Sequence, residues 1–159
     1  MNKRVALVTH GAMIAALYIA LTYLANAFGL ASGAIQVRLS EALTVLPFFT
    51  PAAVPGLFLG CIISNLLTGC VALDTVFGSL ATLLGALGTR CLAKKRLLAP
   101  VFPILANTAV IPFLLRYVYG IPGSLGYFFL TVFVGEVISC GILGSILSGI
   151  VQKTKAFRN

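Results

Sequence analysis

Three acidic side chains stand out because they lie in otherwise apolar sequence. They are Glu41, Asp74 and Glu136, and the chain has no other acids. An ionised carboxylate can accept two parallel N–H groups from a flat ligand, or it can bind a cation. Arg38 and Arg116 lie apart from the other basic residues and are the natural partners of these acids. The five side chains are the first candidates for chemistry.

Glu136 is the sharpest of these candidates. It lies about 12 residues into a predicted helix, which puts it roughly 18 Å from the start of that helix. A carboxylate near the middle of a bilayer costs about 2.5–3.5 kcal/mol on insertion scales, so it must face the helix bundle and meet a partner. The partner is Arg38 or Arg116 in a structural ion pair, or a ligand with a positive charge or paired N–H groups. Glu136→Gln is predicted to weaken ligand binding by about 1.4 kcal/mol, or tenfold.

Arg38, Glu41 and Asp74 each have a structural alternative to a role in binding. Arg38 and Glu41 are three residues apart, so on a helix they share a face; the alternative is an ordinary amphipathic helix start. Asp74 opens a predicted helix, where the helix dipole favours a carboxylate and a carboxylate can cap free amide groups. It is therefore either a ligand contact or a capping residue.

Polar and aromatic side chains complete the candidate site. Asn65 and Asn107 either bind a ligand or bond a neighbouring helix. Tyr117, Tyr119 and Tyr127 either stack on a flat ring or belong to the aromatic belt at the membrane surface. The predicted substrate-binding set is Arg38, Glu41, Asn65, Asp74, Asn107, Arg116, Tyr117 and Glu136.

The elements that hold these side chains are predicted to be membrane helices. Of 159 residues, 60% are hydrophobic and only 9% are charged, whereas soluble domains carry about 25% charged residues. The mean hydropathy is +1.09. The apolar runs are continuous rather than alternating, which favours helices over a barrel. We expect one all-α integral membrane domain over residues 1–159, a bundle of six transmembrane helices.

The predicted helices cover residues 5–28, 39–49, 52–67, 74–92, 99–117 and 124–151. The second is too short to cross a bilayer as a regular α-helix, because about 20 residues are needed. The first apolar run is longer than the core of a signal peptide, so it is predicted to be a retained helix. Residues 29–36 form a linker of small residues.

The basic residues predict the orientation of the bundle. With six crossings, nine of the eleven basic residues fall on one side, which the positive-inside rule places in the cytoplasm together with both termini. They are Lys3, Arg4, Arg90, Lys94, Lys95, Arg96, Lys153, Lys155 and Arg158. The same clustering explains the net charge of +8 without nucleic acid as a partner.

Small residues predict where helices approach one another closely. Gly56, Gly60, Ser64 and Thr68 recur at every fourth position of one predicted helix. The first helix carries the stripe Ala12, Ala16 and Ala20, with Gly11 and Ala15 beside it. Such spacing lets helix backbones pack tightly in a membrane. The partner of the alanine stripe is either in this chain or in another protein.

The sequence does not contain the residues that several classes of activity require. The chain has one histidine, His10, and its four cysteines form no C-x-x-C pair, so neither a metal site nor a disulfide framework is predicted. It has no H-E-x-x-H motif, no G-x-S-x-G motif and no P-loop. We therefore expect neither an enzyme nor an ATPase.

Two stretches resemble the QueT family of queuosine-precursor transporters. They are the run from Arg38 to Asn65, which contains L-P-F-F-T-P-A-A-V-P-G, and the run D-T-V-F-G-S-L-A-T-L-L that starts at Asp74. Members of this family are substrate-capture (S) components of energy-coupling-factor (ECF) transporters in the bacterial cell membrane. The resemblance implies a six-helix bundle that binds its ligand from outside.

The resemblance also implies partners. An S component docks through small residues of its first helix onto a transmembrane coupling protein that carries two ATPases. Ala12, Ala16 and Ala20 would then form the docking face, and residues 29–36 would gate the site. The chain itself needs no cofactor, because ATP is used by the partner subunits.

The implied substrate class agrees with the acidic side chains. Queuine and its precursors carry a guanine-like edge with adjacent N–H donors, and some carry a cationic aminomethyl arm. Carboxylates can accept both kinds of donor. The sequence does not distinguish the free base, an aminomethyl or cyano intermediate, and the nucleoside. The alternative function is an autonomous proton- or ion-coupled carrier that uses Glu136.

Overall fold

Helices are the only regular secondary structure in residues 3–30 and 35–154, the part of the chain that this computed structural model describes. The all-α architecture predicted from the sequence is confirmed for these residues. The α-helices are α1 (Lys3–Ala27), α2 (Ala53–Leu67), α3 (Ala72–Leu92), α4 (Val101–Phe113), α5 (Leu125–Glu136) and α6 (Gly144–Thr154). Two 3-10 helices cover Leu39–Phe48 and Arg96–Leu98, and two π-helical segments cover Leu114–Val118 and Val137–Leu143.

Four helical stretches are long and apolar enough to cross a membrane. They are Lys3–Ala27, Ala72–Leu92, Arg96–Val118 and Leu125–Thr154. The remaining two apolar helices, Leu39–Phe48 and Ala53–Leu67, are shorter. Each of the last two long stretches contains a π-helical segment. Leu114–Val118 continues α4, and Val137–Leu143 joins α5 to α6.

The 3-10 helix Leu39–Phe48 is the centre of the bundle, and we call it the central 3-10 helix. All residues from Ser40 to Pro47 are buried, and the helix contacts α1, α3 and α6. A 3-10 helix rises about 2.0 Å per residue, so these ten residues span about 20 Å rather than the 15 Å of an α-helix. The sequence predicted a short helix here; its 3-10 geometry makes it longer than expected.

Tertiary contacts satisfy the backbone of the central 3-10 helix. The carbonyl oxygen of Glu41 accepts from the Thr44 hydroxyl at 2.6 Å and from the Cys140 thiol at 3.4 Å. Pro47 has no backbone N–H and therefore needs no acceptor. Gly144 lets α6 approach closely, because a Cβ there would lie 2.8 Å from Val45. Packing on all sides thus stabilises a 3-10 helix of uncommon length.

α1 and α2 approach each other through glycines. A Cβ placed on Gly56 would lie 2.6 Å from the carbonyl oxygen of Gly11, and one on Gly60 would lie 2.9 Å from Cβ of Tyr18. Gly11 and Ala15 therefore pack within the chain. The neighbouring alanine stripe points elsewhere, because Ala12, Ala16 and Ala20 are all exposed.

The linker before the central 3-10 helix is held against α5. A Cβ on Gly135 would collide with the carbonyl oxygen of Gln36, so glycine is required where the two backbones meet. The amide of Arg38 donates to the Ser139 hydroxyl at 3.1 Å. These contacts fix the point at which Arg38 enters the bundle.

Candidate functional site

A polar cavity of about 220 Å³ lies where the ends of α1, α2 and the segment after α4 meet the start of α3. Its walls come from parts of the chain that are far apart in sequence. The lining residues are Tyr18, Thr22, Ala25, Asn26, Gln36, Arg38, Ser40, Asn65, Thr68, Cys70, Asp74, Ile111, Leu114, Leu115, Tyr119 and Ile121. The wall contains both polar side chains and aliphatic ones such as Ile111, Leu114 and Leu115, a combination that suits a flat, polar-edged ligand.

Asp74 supplies the negative charge of the cavity. Only 4% of the residue is exposed, and its Oδ2 accepts from the Tyr119 hydroxyl at 2.6 Å. Gly78 leaves room for the carboxylate, because a Cβ there would lie 3.0 Å from Oδ1. Asp74 lies in the first turn of α3, where the helix dipole favours a carboxylate. The N-cap residue is Val71 and receives no side-chain hydrogen bond, so Asp74 is not the cap.

The turn after α4 holds Tyr119 in place. The amide of Tyr119 donates to the Leu114 carbonyl at 3.0 Å, and the amide of Ile121 donates to Leu115 at 3.1 Å. Gly120 adopts a left-handed φ of 62°, which a residue with a side chain rarely does. Partial burial raises the pKa of the Tyr119 phenol, and the hydrogen bond to Asp74 raises it further. The phenol therefore stays protonated and remains a donor.

Arg38 supplies the positive charge of the cavity. The carboxylates of Asp74 and Glu41 are near enough for their charges to act on the guanidinium. Within residues 3–30 and 35–154, however, no group accepts a hydrogen bond from it. Arg38 lines the cavity, so its guanidinium donors are available to a ligand there.

A buried polar cluster lies behind the cavity wall. Glu41 is 1% exposed; its Oε1 accepts from the Tyr18 hydroxyl and its Oε2 from Asn107 at 3.3 Å. Glu136 is 6% exposed, and its Oε2 accepts from the Cys140 thiol at 3.1 Å. Because Tyr18 also lines the cavity, its hydroxyl connects the cavity wall to this cluster.

Glu41, Glu136 and Cys140 bring one possible ligand atom each to within 4.8 Å of one another. By geometry they are a group of described residues that could hold a metal ion. Two hard carboxylates and one soft thiol do not match the usual ligand set of a single metal. Each of the three groups instead has a hydrogen-bond partner within the chain.

The structure divides the predicted site residues into three sets. Arg38, Asn65 and Asp74 line the cavity, and Glu41, Asn107 and Glu136 form the buried cluster behind it. Arg116 and Tyr117 are exposed outside the cavity, and the Tyr117 ring stacks on Phe113. The binding roles of all eight residues stay predictions.

The predicted ion pair of Glu136 with an arginine is not among the contacts of the described residues. Glu136 instead accepts from the Cys140 thiol at 3.1 Å, and the Asn107 amide also interacts with its carboxyl group. Glu136 and Cys140 are four residues apart, so the sequence puts them on one face of a helix, but it does not show that the thiol donates to the carboxylate.

Sequence reasoning also missed part of the cavity wall. Tyr18 gave no signal, because one tyrosine in an apolar helix is commonplace. Asn26 and Gln36 lie at the two ends of the linker that precedes the central 3-10 helix, and polar residues at such ends suit a cavity mouth. Tyr119 was noted only as a stacking or belt residue; its position just before a glycine turn is the feature that marks it.

Comparison with known proteins identifies relatives. The chain is 38% identical, over 72 residues, to a protein of Lactococcus lactis subsp. cremoris (strain MG1363) named queuosine precursor transporter QueT. This match covers 45% of the chain and 42% of the relative, less than half the length of either. No solved structure matches the chain. The family model for the QueT transporter matches residues 8–153. Because that match covers most of the 159 residues, the chain belongs to the QueT transporter family.

Proposed function

We propose that this chain is the substrate-capture component of an ECF transporter and that it binds a queuosine precursor, queuine or a related 7-deazaguanine, from outside the cell. The observation that carries the proposal is the polar cavity of about 220 Å³ in an otherwise apolar membrane chain. The family model and the name of the lactococcal relative support the substrate class.

The position of the cavity supports binding from outside. Asp74 lies in the first turn of α3 at the cavity, and Arg90 lies in its last turn, about 24 Å away along the helix. Lys94–Arg96 follow directly, and Lys153 ends α6. The positive-inside rule puts these basic residues in the cytoplasm, so the cavity opens to the other side. Lys155 and Arg158 lie outside the described residues.

Counting the central 3-10 helix and α2 as crossings gives six, and an even number puts both termini on the same side, which the basic residues assign to the cytoplasm. The central 3-10 helix and α2 are the two short members of the set. The central 3-10 helix is surrounded by protein, so its length need not match the thickness of the bilayer.

The surface of α1 supports docking onto a coupling protein. Only 17% of the most apolar part of α1 is buried in the chain, against 39–50% for the other three long helical stretches. Ala12, Ala16 and Ala20 are exposed and leave a flat stripe beside an apolar groove of about 430 Å³ between α1 and α2. Close helix contact in membranes uses such small residues.

The linker supports a gate over the cavity. Gln36 lines the cavity at the end of the predicted gate, residues 29–36. Residues 31–34 lie outside the described residues. Energy comes from ATP used by the partner ATPases, and this chain acts as a transport subunit without a catalytic site or a cofactor of its own.

The test is a calorimetric titration of the purified chain in detergent with queuine, its aminomethyl precursor and guanine. Saturable binding of a deazaguanine in preference to guanine is expected. Uptake by cells should then require co-expression of the coupling protein and its ATPases. A folded sample that binds none of the three would remove the proposed substrate.

The buried cluster favours a second candidate, a proton-coupled carrier. Glu41 and Glu136 are two buried carboxyl groups whose oxygen atoms lie within 4.8 Å, an arrangement that suits shared protons. This carrier would need no ATPase partner. Uptake by the chain alone in vesicles, abolished by a protonophore, would favour it over the capture component.

A further inference from the structure

Resting on the proposed function, we propose that Asp74 and Arg38 together recognise the edge of a guanine-type base, and that the cavity takes the free base rather than its nucleoside. A guanine-type edge presents a carbonyl acceptor followed by two N–H donors, the ring N1–H and the 2-amino group. The cavity contains one complementary group for each part of that edge.

Asp74 is the complement of the two donors. A carboxylate offers about four lone-pair positions, and Tyr119 uses one of them at Oδ2. The remaining positions can accept two parallel N–H groups in the geometry of a bidentate pair. Since Asp74 is almost fully buried yet lines the cavity, a ligand that entered would replace its missing water contacts.

Arg38 is the complement of the carbonyl. The guanidinium carries five N–H donors and no acceptor. No described residue accepts from it, although it lines the cavity beside two carboxylates. Arg38 is half-buried, and a ligand carbonyl in the cavity would give its guanidinium a hydrogen-bond acceptor. The carbonyl of a guanine-type edge would therefore accept from Arg38, and its two N–H groups would donate to Asp74.

Charge and size limit the ligand further. Among the described residues that line the cavity, only Arg38 and Asp74 are charged, so their charges cancel and a neutral ring is accommodated. The volume of about 220 Å³ lies below the roughly 300–1,000 Å³ of sites that hold drug-sized molecules. A bicyclic base with a small substituent, such as an aminomethyl precursor, suits this space better than a base that carries a ribose or the cyclopentenediol arm of queuine.

Tyr119 is a positioning residue in this arrangement. Its hydroxyl holds Oδ2 of Asp74 at 2.6 Å, and the turn at Gly120 fixes the tyrosine. It therefore orients the carboxylate plane that would accept the two donors. Loss of the hydroxyl should lower selectivity for the 2-amino group and not only the overall affinity.

The experiment uses three matched probes on the full chain in detergent: 7-deazaguanine, 7-deazahypoxanthine, which lacks the 2-amino group, and the ribonucleoside of 7-deazaguanine. The wild-type chain should prefer 7-deazaguanine over 7-deazahypoxanthine by about tenfold or more, the effect of losing one hydrogen bond to a charged group. It should also prefer 7-deazaguanine over the ribonucleoside, because the ribose exceeds the space in the cavity. Asp74→Asn should abolish the preference over 7-deazahypoxanthine, and Tyr119→Phe should reduce it.

The control is Gly126→Ala, because a Cβ at Gly126 meets no atom within 4 Å. It should keep both preferences. An undiminished preference in folded Asp74→Asn, or equal binding of base and nucleoside by the wild type, overturns the inference and leaves the proposed function standing. Should Asp74→Asn not fold, equal wild-type affinity for 7-deazaguanine and 7-deazahypoxanthine overturns it equally. If the folded wild type binds no deazaguanine at all, the proposed function falls and the inference falls with it.

Discussion

At the scale of single residues, the three acids of this chain have different surroundings. Asp74 faces a cavity and has unused acceptor capacity. Glu41 accepts two hydrogen bonds from within the protein, and Glu136 accepts one from Cys140. Burial alone therefore does not distinguish a ligand contact from a structural carboxyl group; what distinguishes them is whether their hydrogen bonds are already made.

Gly78→Ala tests the position of the Asp74 carboxylate without changing its charge. The new methyl group would lie 3.0 Å from Oδ1 of Asp74 and 3.6 Å from Nδ2 of Asn65, so the carboxylate must shift. We expect several-fold weaker binding of 7-deazaguanine with little change in thermal stability. Calorimetry beside Gly126→Ala measures this, and equal affinities in the two variants would contradict it.

Glu136→Gln tests the sequence-based prediction of about tenfold weaker binding. The structure places Glu136 behind the cavity wall, so any loss must pass through Glu41 and Tyr18. The readout is affinity for 7-deazaguanine in a variant whose thermal unfolding is also measured. Unchanged affinity would remove Glu136 from the binding site and leave it as part of the buried cluster.

At the scale of elements, α1 has two stripes of small residues with different surroundings. Gly11 and Ala15 pack against α2, whereas Ala12, Ala16 and Ala20 on the adjacent surface contact nothing in the described chain closely enough to bury them. The sequence showed both stripes but could not assign them, because small residues at four-residue spacing look alike whether the partner is internal or external.

Gly56→Ala and Ala16→Leu should separate these two surfaces. Gly56→Ala drives a methyl group to 2.6 Å from the Gly11 carbonyl oxygen, so it should destabilise the fold by about 1–3 kcal/mol, as overpacking does. Ala16→Leu should leave thermal unfolding and ligand binding unchanged and abolish ATP-dependent uptake. Survival of uptake in Ala16→Leu would argue against docking through the stripe.

The central 3-10 helix shows how far sequence reasoning reaches. Its shortness and its charged start, Arg38 and Glu41, are visible in the sequence, and they predict an element buried by protein. Its 3-10 geometry is not visible, because it depends on Cys140 and Gly144, about a hundred residues away. For the same reason the bond between Tyr18 and Glu41 could not be foreseen: it requires the relative rotation of two helices.

At the scale of the whole molecule, this member of the QueT family is a multi-pass protein of the bacterial cell membrane. Its charges are segregated, with the cavity at one end of the bundle and most of the basic residues, among them Arg90 and Lys94–Arg96, at the other. Arg38, Asn65 and Asp74 meet because each lies near a helix end at the same end of the bundle.

The native cysteines can report this orientation. Cys70 lines the cavity and is partly exposed, Cys91 is exposed at the basic end of α3, and Cys61 and Cys140 are buried. In whole cells an impermeant maleimide should label the Cys91→Ser variant, because that variant retains Cys70 on the outer side. It should not label the Cys70→Ser variant, whose exposed cysteine, Cys91, lies on the cytoplasmic side. Prior addition of 7-deazaguanine should protect Cys70. The reverse labelling pattern would invert the proposed topology.

The cavity wall has a further consequence, because it is assembled from three turns that share no nearby covalent connection. Residues after α1, after α2 and after α4 each contribute a side, through Gln36, Cys70 and Tyr119. A molecule bound in the cavity would contact all three turns and so restrict their motion relative to one another. Occupancy should therefore slow hydrogen exchange in all three turns together, and release of the molecule should require them to loosen as one unit.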